Sequence, residues 1–262
     1  MALPKALLCV LGSMTAMTPP EEVLLRASGF ATATVSWREL TAQQRGWTQL
    51  LPVLDDAAVQ AWVFSGKPAE FTDELLSEIS FLTLALTRPA PPLTAFVFTG
   101  SGEEPVVADT LAHIKMFQGN ASFAAKLMAA RLKPQATLPR PFHVVAHVDP
   151  LIGQWLEIGP TANDIWQGFM AGVLNGEVIA FGVGPRGQLP QKSVLRYPQC
   201  GIKGNWGDQA FTACAARNEI DGNTACYMRV EGCPQAIFVT SPPEEDASPT
   251  IAPPQPLYVA LF

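Results

Sequence analysis

Two of the chain's three histidines stand close to an aspartate in one short segment, at His143, His147 and Asp149. The segment is predicted to be a strand, and alternate strand residues share one face. His143 and His147 would then lie about 13 Å apart, at ~3.3 Å per residue, too far to bind one metal ion. His147 and Asp149 are therefore the catalytic candidates, as a base with its orienting carboxylate or as a metal-binding pair. The alternative is that His147 is a hydrogen-bonded structural residue.

Three turns in the first half combine glycine with serine, and each follows a predicted strand. Their residues are Gly12, Ser13, Ser65, Gly66, Gly100, Ser101 and Gly102. Ligands of open α/β sheets bind at the carboxyl ends of the strands, where small residues admit them and helix N-termini supply amide donors. The pattern thus predicts a small-molecule site at these turns. The alternative is that glycine and serine are simply common turn residues.

Two motifs resemble phosphate-binding loops but lack the parts that bind phosphate. Gly182, Gly184 and Gly187 have the spacing of a dinucleotide fingerprint, yet no helical pattern follows them. Lys67 follows a glycine as in a P-loop, but Pro68 replaces the hydroxyl residue that would bind magnesium. The sequence therefore predicts no nucleotide cofactor, and no dedicated metal centre.

Four of the five cysteines fall near the end of the β-rich half, at Cys200, Cys214, Cys226 and Cys233. The intervening gaps of 13, 11 and 6 residues lack the close pairs typical of zinc sites. Plain thiols, disulfides and a metal site all remain open. Cys9 lies in an apolar run and is predicted to be a small buried residue.

Short apolar segments alternate with helical patterns in the first half. Strands are predicted at Ala6–Gly12, Ala31–Trp37, Val59–Phe64 and Ala95–Phe98. The helices between them include one capped by Thr18 and one spanning Phe71 to Leu86, and further helices are predicted after Pro105 and Asn120. This alternation predicts an α/β layer with a mainly parallel sheet over residues 1–137.

Helical periodicity fades after Pro139, and residues 138–240 are predicted to be rich in strands and loops. The predicted strands are Phe142–Val148, Gln154–Ile158, Val178–Val183 and Gln235–Thr240. The fold class is therefore α/β, with an N-terminal β-α layer followed by a β-rich, loop-rich portion. Whether this portion is a separate domain stays open.

The end of the chain combines an extended linker with an apolar strand. Residues 241–256 contain six prolines together with Glu244, Glu245 and Asp246, a composition that favours extended polyproline geometry. Residues 257–262 are again apolar and predict a C-terminal strand. Because an exposed apolar strand promotes aggregation, this strand should pair with its own sheet or with another molecule.

The overall composition excludes several classes of protein. The 262 residues are 48% apolar and 15% charged, with a net charge of −6. A disordered chain would be less apolar, and a phosphate-bound nucleic-acid binder would be basic. No apolar run reaches the ~18 residues of a membrane span. We expect a location in the cytoplasm or within an assembled particle, with secretion left open by the apolar N-terminus.

Two functions are compatible with these features. The first is a non-enzymatic structural or interaction subunit of a larger protein assembly, contacting other subunits or further copies of itself through the tail and strand. The second is an α/β enzyme or small-molecule-binding protein with its site at the glycine- and serine-rich strand ends. The low charge outside the tail favours the first, since a surface that faces only water usually carries more charge.

Overall fold

The computed structural model describes residues 3–12, 18–88, 91–103, 105–107, 111, 114–118, 142–161, 163–242 and 258–261, the last four by their backbone. The chain forms two compact units. The first comprises Met1–Leu76, Leu86–Val107 and Leu111–Leu138. The second comprises Ser77–Ala85, Ala108–Thr110 and Pro139–Phe262. Each unit is built around its own sheet, and among the described residues no helix is long and apolar enough to cross a membrane.

The first unit contains the predicted parallel sheet, in the strand order β2-β1-β3-β4-β5. Its strands are β1 (Lys5–Val10), β2 (Ala31–Ser36), β3 (Val59–Gly66), β4 (Leu93–Phe98) and β5 (Lys115–Gln118). All neighbouring strands run parallel. The central strands are apolar along almost their whole length because helices and loops cover both faces of such a sheet. The predicted α/β layer is confirmed.

The described residues form four α-helices: α1 (Pro20–Ala27), α2 (Trp37–Thr41) and α3 (Leu51–Leu54) in the first unit, and α4 (Asp73–Ala85), whose residues from Ser77 on belong to the second. The prediction that Thr18 caps α1 is wrong, because the cap position is Pro19 and no side chain caps the helix. Trp37 does not end β2 as predicted. Instead it begins α2, where the Ser36 hydroxyl accepts a hydrogen bond from the Glu39 amide at 3.3 Å. Such a serine cap is a strong helix-start signal that the β-branched run before it obscured.

The segment after Pro105 differs from its prediction. Residues 105–107 are not helical, and a fifth strand, β5, stands at residues 115–118. Residues 108–110 and 112–113, and the helix predicted after Asn120, lie outside the described residues. A four-residue edge strand carries too short a pattern to be distinguished from part of a helix.

The second unit is an antiparallel sheet, in the order β6-β7-β11-β8-β10-β9, with β12 also paired to β11. Its strands are β6 (His143–Asp149), β7 (Gly153–Gly159), β8 (Trp166–Pro185), β9 (Gln199–Trp206), β10 (Gln209–Ile220), β11 (Thr224–Thr240) and β12 (Tyr258–Leu261). The β-rich character predicted for this portion is confirmed. The predicted strands correspond to β6, β7 and parts of β8 and β11, whereas β9 and β10 were missed.

The two longest strands, β8 and β11, pair over nearly their full length but not in one continuous register. The ladder breaks between Arg229 and Val230 and again between Gly232 and Ala236. Asn175 opposite the second break has a left-handed φ of 54°. Such bulges bend a strand and increase its twist, which lets side chains from several strands form one core. That core includes Met170, Leu174, Phe211 and Phe238.

Candidate functional site

The carboxyl edge of the parallel sheet gathers several of the predicted glycines. The Leu11 amide donates to the Ser65 carbonyl oxygen at 2.9 Å, so the chain continues past β1 alongside the end of β3. The Thr99 amide donates to the Gly66 carbonyl oxygen at 2.8 Å, which extends the same alignment to β4. The turns after β1, β3 and β4 therefore lie at one edge of the sheet.

A carboxylate occupies the space between the first two of these turns. A Cβ atom added to Gly12 would lie 3.2 Å from Glu70 Oε1, and one added to Gly66 would lie 2.9 Å from Glu70 Oε2. The Lys67 amide donates to Glu70 Oε2 at 2.7 Å and holds the side chain there. The site is thus acidic, which suits a cation or a hydrogen-bond donor better than a phosphate.

The remaining predicted residues at this edge differ in their surroundings. Gly102 lies against Pro68, since a Cβ atom added there would be 2.9 Å from Pro68 Cγ. Ser65 is buried, whereas Gly100 and Ser101 are exposed and Gly100 adopts a φ of 91° with open space around it. Ser13 lies outside the described residues.

The second candidate site lies in the β6–β7 hairpin. Its carboxylate is Glu157, which, like Glu70, was not among the residues predicted from the sequence. His147 Nε2 is 2.8 Å from Glu157 Oε2, and His143 Nε2 is 2.8 Å from Glu157 Oε1. In the ladder Glu157 lies opposite Val145, midway between the two histidines. The signal that could have found it is the hairpin itself, because alternation on both strands places Glu157 on the histidine face.

Asp149 does not bond to His147. Its Oδ1 atom accepts hydrogen bonds from the amides of Leu151 and Ile152, at 2.7 and 3.2 Å, and so shapes the hairpin turn. The orienting carboxylate of His147 is therefore Glu157. Because an ionised carboxylate only accepts hydrogen bonds, both histidines carry a proton on Nε2 and keep Nδ1 for other contacts.

Glu157 is a buried but fully partnered charge, with its side chain only 1% exposed. Burial raises the pKa of Glu157, but hydrogen bonds from His143, His147 and the Gly187 amide outweigh it and hold that pKa well below its usual range. Burial and the negative charge of Glu157 together raise the pKa of nearby Tyr227. The Tyr227 hydroxyl donates to the Pro185 carbonyl oxygen. This cluster joins β6, β7, β11 and the turn after β8.

None of the five cysteines, all of which lie among the described residues, forms a disulfide. The Cys214 thiol donates to the Ala171 carbonyl oxygen at 3.6 Å in the sheet interior, and burial raises the pKa of Cys214. Burial likewise raises the pKa of Cys9 to about 12. Within the described part of the chain, no group of three or more His, Cys, Asp or Glu side chains is arranged to hold a metal ion.

A groove of about 800 Å³ lies elsewhere on the antiparallel sheet and contains none of the predicted residues. Glu177 and Glu231 face each other directly across its β8–β11 wall. Each has a cationic partner: Glu177 pairs with Lys203 at 3.5 Å, and Glu231 pairs with Arg229, two residues earlier on β11, at 3.6 Å. The charged side chains that line the groove are therefore already paired within the chain.

The C-terminal strand pairs with the sheet of its own chain. β12 runs antiparallel to β11, with Tyr258 opposite Val239 and Leu261 opposite Ala236. β7 pairs with β11 only from Cys226 to Val230, so β12 covers a different part of the same strand edge. The prediction that this strand must be paired fits this arrangement.

No family model, curated protein or solved structure matches this chain.

Proposed function

We propose that this protein is a structural or interaction subunit of a protein assembly, and that β12 makes the contact by adding to the β11 edge of another subunit. The observation that carries the proposal is the length of chain between two facing residues. Tyr258 lies directly opposite Val239, yet 18 residues, 240 to 257, separate them.

The linker is much longer than pairing within one chain requires. Neighbouring strands lie about 4.8 Å apart, and hairpins of two to five residues close that gap. Eighteen residues in proline-rich geometry reach about 56 Å at ~3.1 Å per residue. The same strand can therefore form the same ladder on a second subunit, as in domain swapping and strand addition.

The edge that receives β12 belongs to a buried part of the sheet. Ala236, Ile237, Phe238 and Val239 are all buried. Without a strand here, the unpaired backbone groups of β11 would form an adhesive edge. A strand supplied by the same chain or by another chain removes that hazard equally well. Exchange of β12 between subunits should therefore cost little free energy.

The test compares molecular mass in solution, measured by light scattering, for the full chain and a chain ending at residue 240. We expect the full chain to form concentration-dependent oligomers of defined mass, and the truncated chain, whose β11 edge is left unpaired, to lose those defined oligomers. The double variant Val259→Pro/Ala260→Pro should behave like the truncation because proline removes ladder donors. The matched control, Ala247→Pro in the linker, should still assemble. If full and truncated chains share one monomeric mass, strand exchange is wrong.

A second candidate function is binding of a small cationic or hydrogen-bond-donating molecule at the edge of the parallel sheet. The strand order favours it. β1 lies between β2 and β3, so the chain leaves β1 towards one side of the sheet for β2 and returns to the other side for β3. Ligands of open α/β sheets bind where the strand order reverses in this way. Gly12 and Gly66 lie at this point, with the Glu70 carboxylate between them.

The second candidate is tested by thermal shift with a panel of small amines and carboxylic acids. An amine that stabilises the native chain but not the Glu70→Gln variant supports the site. The control is Glu39→Gln, which removes a carboxylate elsewhere in the same unit. Stabilisation by acids alone, or equal stabilisation of native and Glu70→Gln proteins, argues against it.

A further inference from the structure

Strand β9 forms an outer edge of the antiparallel sheet, and its backbone is open to a further strand. In the part of the chain that the structure describes, β9 pairs with β10 alone. A two-residue turn joins the two strands, because Trp206 lies directly opposite Gln209. In such a hairpin the pair that flanks the turn is hydrogen-bonded, and the pattern alternates along the ladder. The amides and carbonyls of Lys203 and Asn205 therefore point away from β10, across the open edge.

The apolar side chains of this edge are only half-buried. Ile202 and Trp206 pack against the core of the sheet from its rim. The Trp206 ring contacts the Phe238 ring, with the two centroids 5.7 Å apart, yet Ile202 and Trp206 both remain partly exposed. A strand added beside β9 would cover these side chains and extend the core across the edge, which is favourable because it removes apolar surface from water.

A glycine stands midway between these two apolar residues and leaves the centre of the edge bare. The Phe211 ring occupies the place of the missing side chain, since a Cβ atom added to Gly204 would lie 2.7 Å from Phe211 Cε1. Gly204 and Phe211 are direct neighbours in the β9–β10 ladder. An aromatic neighbour of this kind supports a glycine in an edge strand. Glycine inside a strand also allows another backbone to approach closely.

The sequence of β9 is complementary to itself in one register. A two-fold pairing centred on Lys203 would place like charges directly opposite each other, which is unfavourable. A pairing centred on Gly204 instead places Lys203 opposite Asn205 of the second copy. It also places Ile202 opposite Trp206 of the second copy. This centre keeps the whole regular part of β9, from Ile202 to Trp206, in the new ladder, because the register with β10 shifts beyond Ile202.

We propose that two copies of this protein pair antiparallel through β9, about a two-fold axis at Gly204, and so join their antiparallel sheets. Lys203 and Asn205 exchange backbone hydrogen bonds across the edge, as alternate pairs of an antiparallel ladder do. Ile202 and Trp206 form an aromatic–β-branched pair on the core face, which is a favourable cross-strand combination. The interface uses the same patch on both copies, so it closes as a dimer. It goes beyond strand exchange because it involves neither β11 nor β12.

Sedimentation velocity tests the dimer in the full-length Val259→Pro/Ala260→Pro chain, in which strand exchange through β12 is removed. We expect this chain to dimerise. Adding Asn205→Pro should raise the dissociation constant at least tenfold, because the two-fold axis removes an outward donor from both copies. The matched control Asn205→Ala changes the same side chain but keeps the backbone donor, so it should still dimerise. Circular dichroism should show an unchanged fold, since proline is tolerated where an edge amide faces outward.

Cysteine cross-linking tests the register, in a Cys200→Ser chain because Cys200 is exposed. A chain with Lys203→Cys is mixed with a chain with Asn205→Cys and treated with diamide, which takes up the two protons and two electrons that the paired thiols release. The mixture should form a disulfide-linked dimer that contains both kinds of chain. Neither chain should cross-link on its own, because identical positions lie two residues out of register and too far apart for a disulfide.

The proposal is overturned if the Val259→Pro/Ala260→Pro chain stays monomeric at every concentration, or if Asn205→Pro dimerises as tightly as Asn205→Ala. It is also overturned if the mixed chains cross-link no more than either chain alone, a result that decides the matter even where Asn205→Pro fails to fold. Failure of strand exchange has a different signature, because the native and Val259→Pro/Ala260→Pro chains would then share one distribution of masses.

Discussion

The two units each contain a carboxylate at the point where candidate residues converge, but the two carboxylates are held very differently. Glu70 lies at the edge of the parallel sheet, half-buried, with the Lys67 amide as its hydrogen-bond donor. Glu157 lies on β7, the second strand of the antiparallel sheet, and accepts from two histidines and the Gly187 amide.

The difference follows from how the two kinds of sheet treat polar groups. Strands of a parallel layer are covered on both faces, so polar side chains collect beyond their ends, where water remains close. An antiparallel sheet brings neighbouring strands together along their whole length, so side chains from β6, β7 and β11 can satisfy a charge within the sheet. Glu157 is therefore fully partnered inside its sheet, whereas Glu70 stays half-exposed at the edge of its own.

The largest expected effect comes from removing the buried carboxylate. Glu157→Ala should destabilise the protein by about 3 kcal/mol, because it leaves two histidines and the Gly187 amide without their common acceptor. The measurement is urea unfolding followed by circular dichroism. Glu70→Ala is the matched comparison and should cost less than about 1 kcal/mol, since water can replace a half-exposed carboxylate. Equal losses for the two variants would contradict the contrast between the sites.

A smaller effect is expected from adding one methyl group to a glycine in each unit. In Gly172→Ala the new Cβ would lie 2.4 Å from the Thr212 carbonyl oxygen and 2.7 Å from Ala213 Cβ. Because backbone cannot move aside cheaply, we expect a loss of about 2 kcal/mol.

The partner variant is Gly12→Ala, for which the three nearest atoms to the new Cβ all belong to the Glu70 carboxyl group, the closest at 3.2 Å. It should leave the free energy of unfolding nearly unchanged. Thermal melts of the two variants side by side make the comparison. If Gly12→Ala is the more destabilising of the two, the strand-end turns are more rigid than the arrangement around Glu70 implies.

The smallest expected effect is the pH dependence of the contribution that Glu157 makes to the free energy of unfolding. The pKa of Glu157 is lowered in the folded protein, so its carboxylate stabilises the fold above the unfolded pKa of about 4.3. That stabilisation is lost as the pH falls from there through the folded pKa. The stability difference between the native chain and Glu157→Gln should therefore shrink below about pH 4. Urea midpoints measured from pH 7 to pH 3 test this, and a difference that grows on acidification would be the contrary result.

Local sequence patterns were sufficient to predict most of the strands of the first unit. Its strands are short apolar runs between turn residues, and the glycines at Gly12 and Gly66 follow those runs directly. Once the strands are parallel neighbours, their ends must meet at one edge. Prediction of the edge strand β5 failed because four residues carry too little periodicity to identify a strand.

Prediction was weaker in the second unit because its defining contacts join residues far apart in the chain. β9 has mostly exposed side chains and so lacks the apolar signal of a strand. Glu157 resembles any other acidic residue in the sequence. Asp149, two positions from His147, appeared to be the better partner because proximity in sequence was the available guide.

The sequence alone determined the class of fold, the change from alternating helices and strands to a β-rich half, and the need of the C-terminal strand for a partner. These are properties of local composition and periodicity, which a linear pattern records. Only the tertiary structure decided which carboxylate each candidate residue meets. It placed Glu70 between Gly12 and Gly66, Glu157 between His143 and His147, and Tyr258 opposite Val239. Those pairings depend on strand order and register, which are set by packing across the whole sheet.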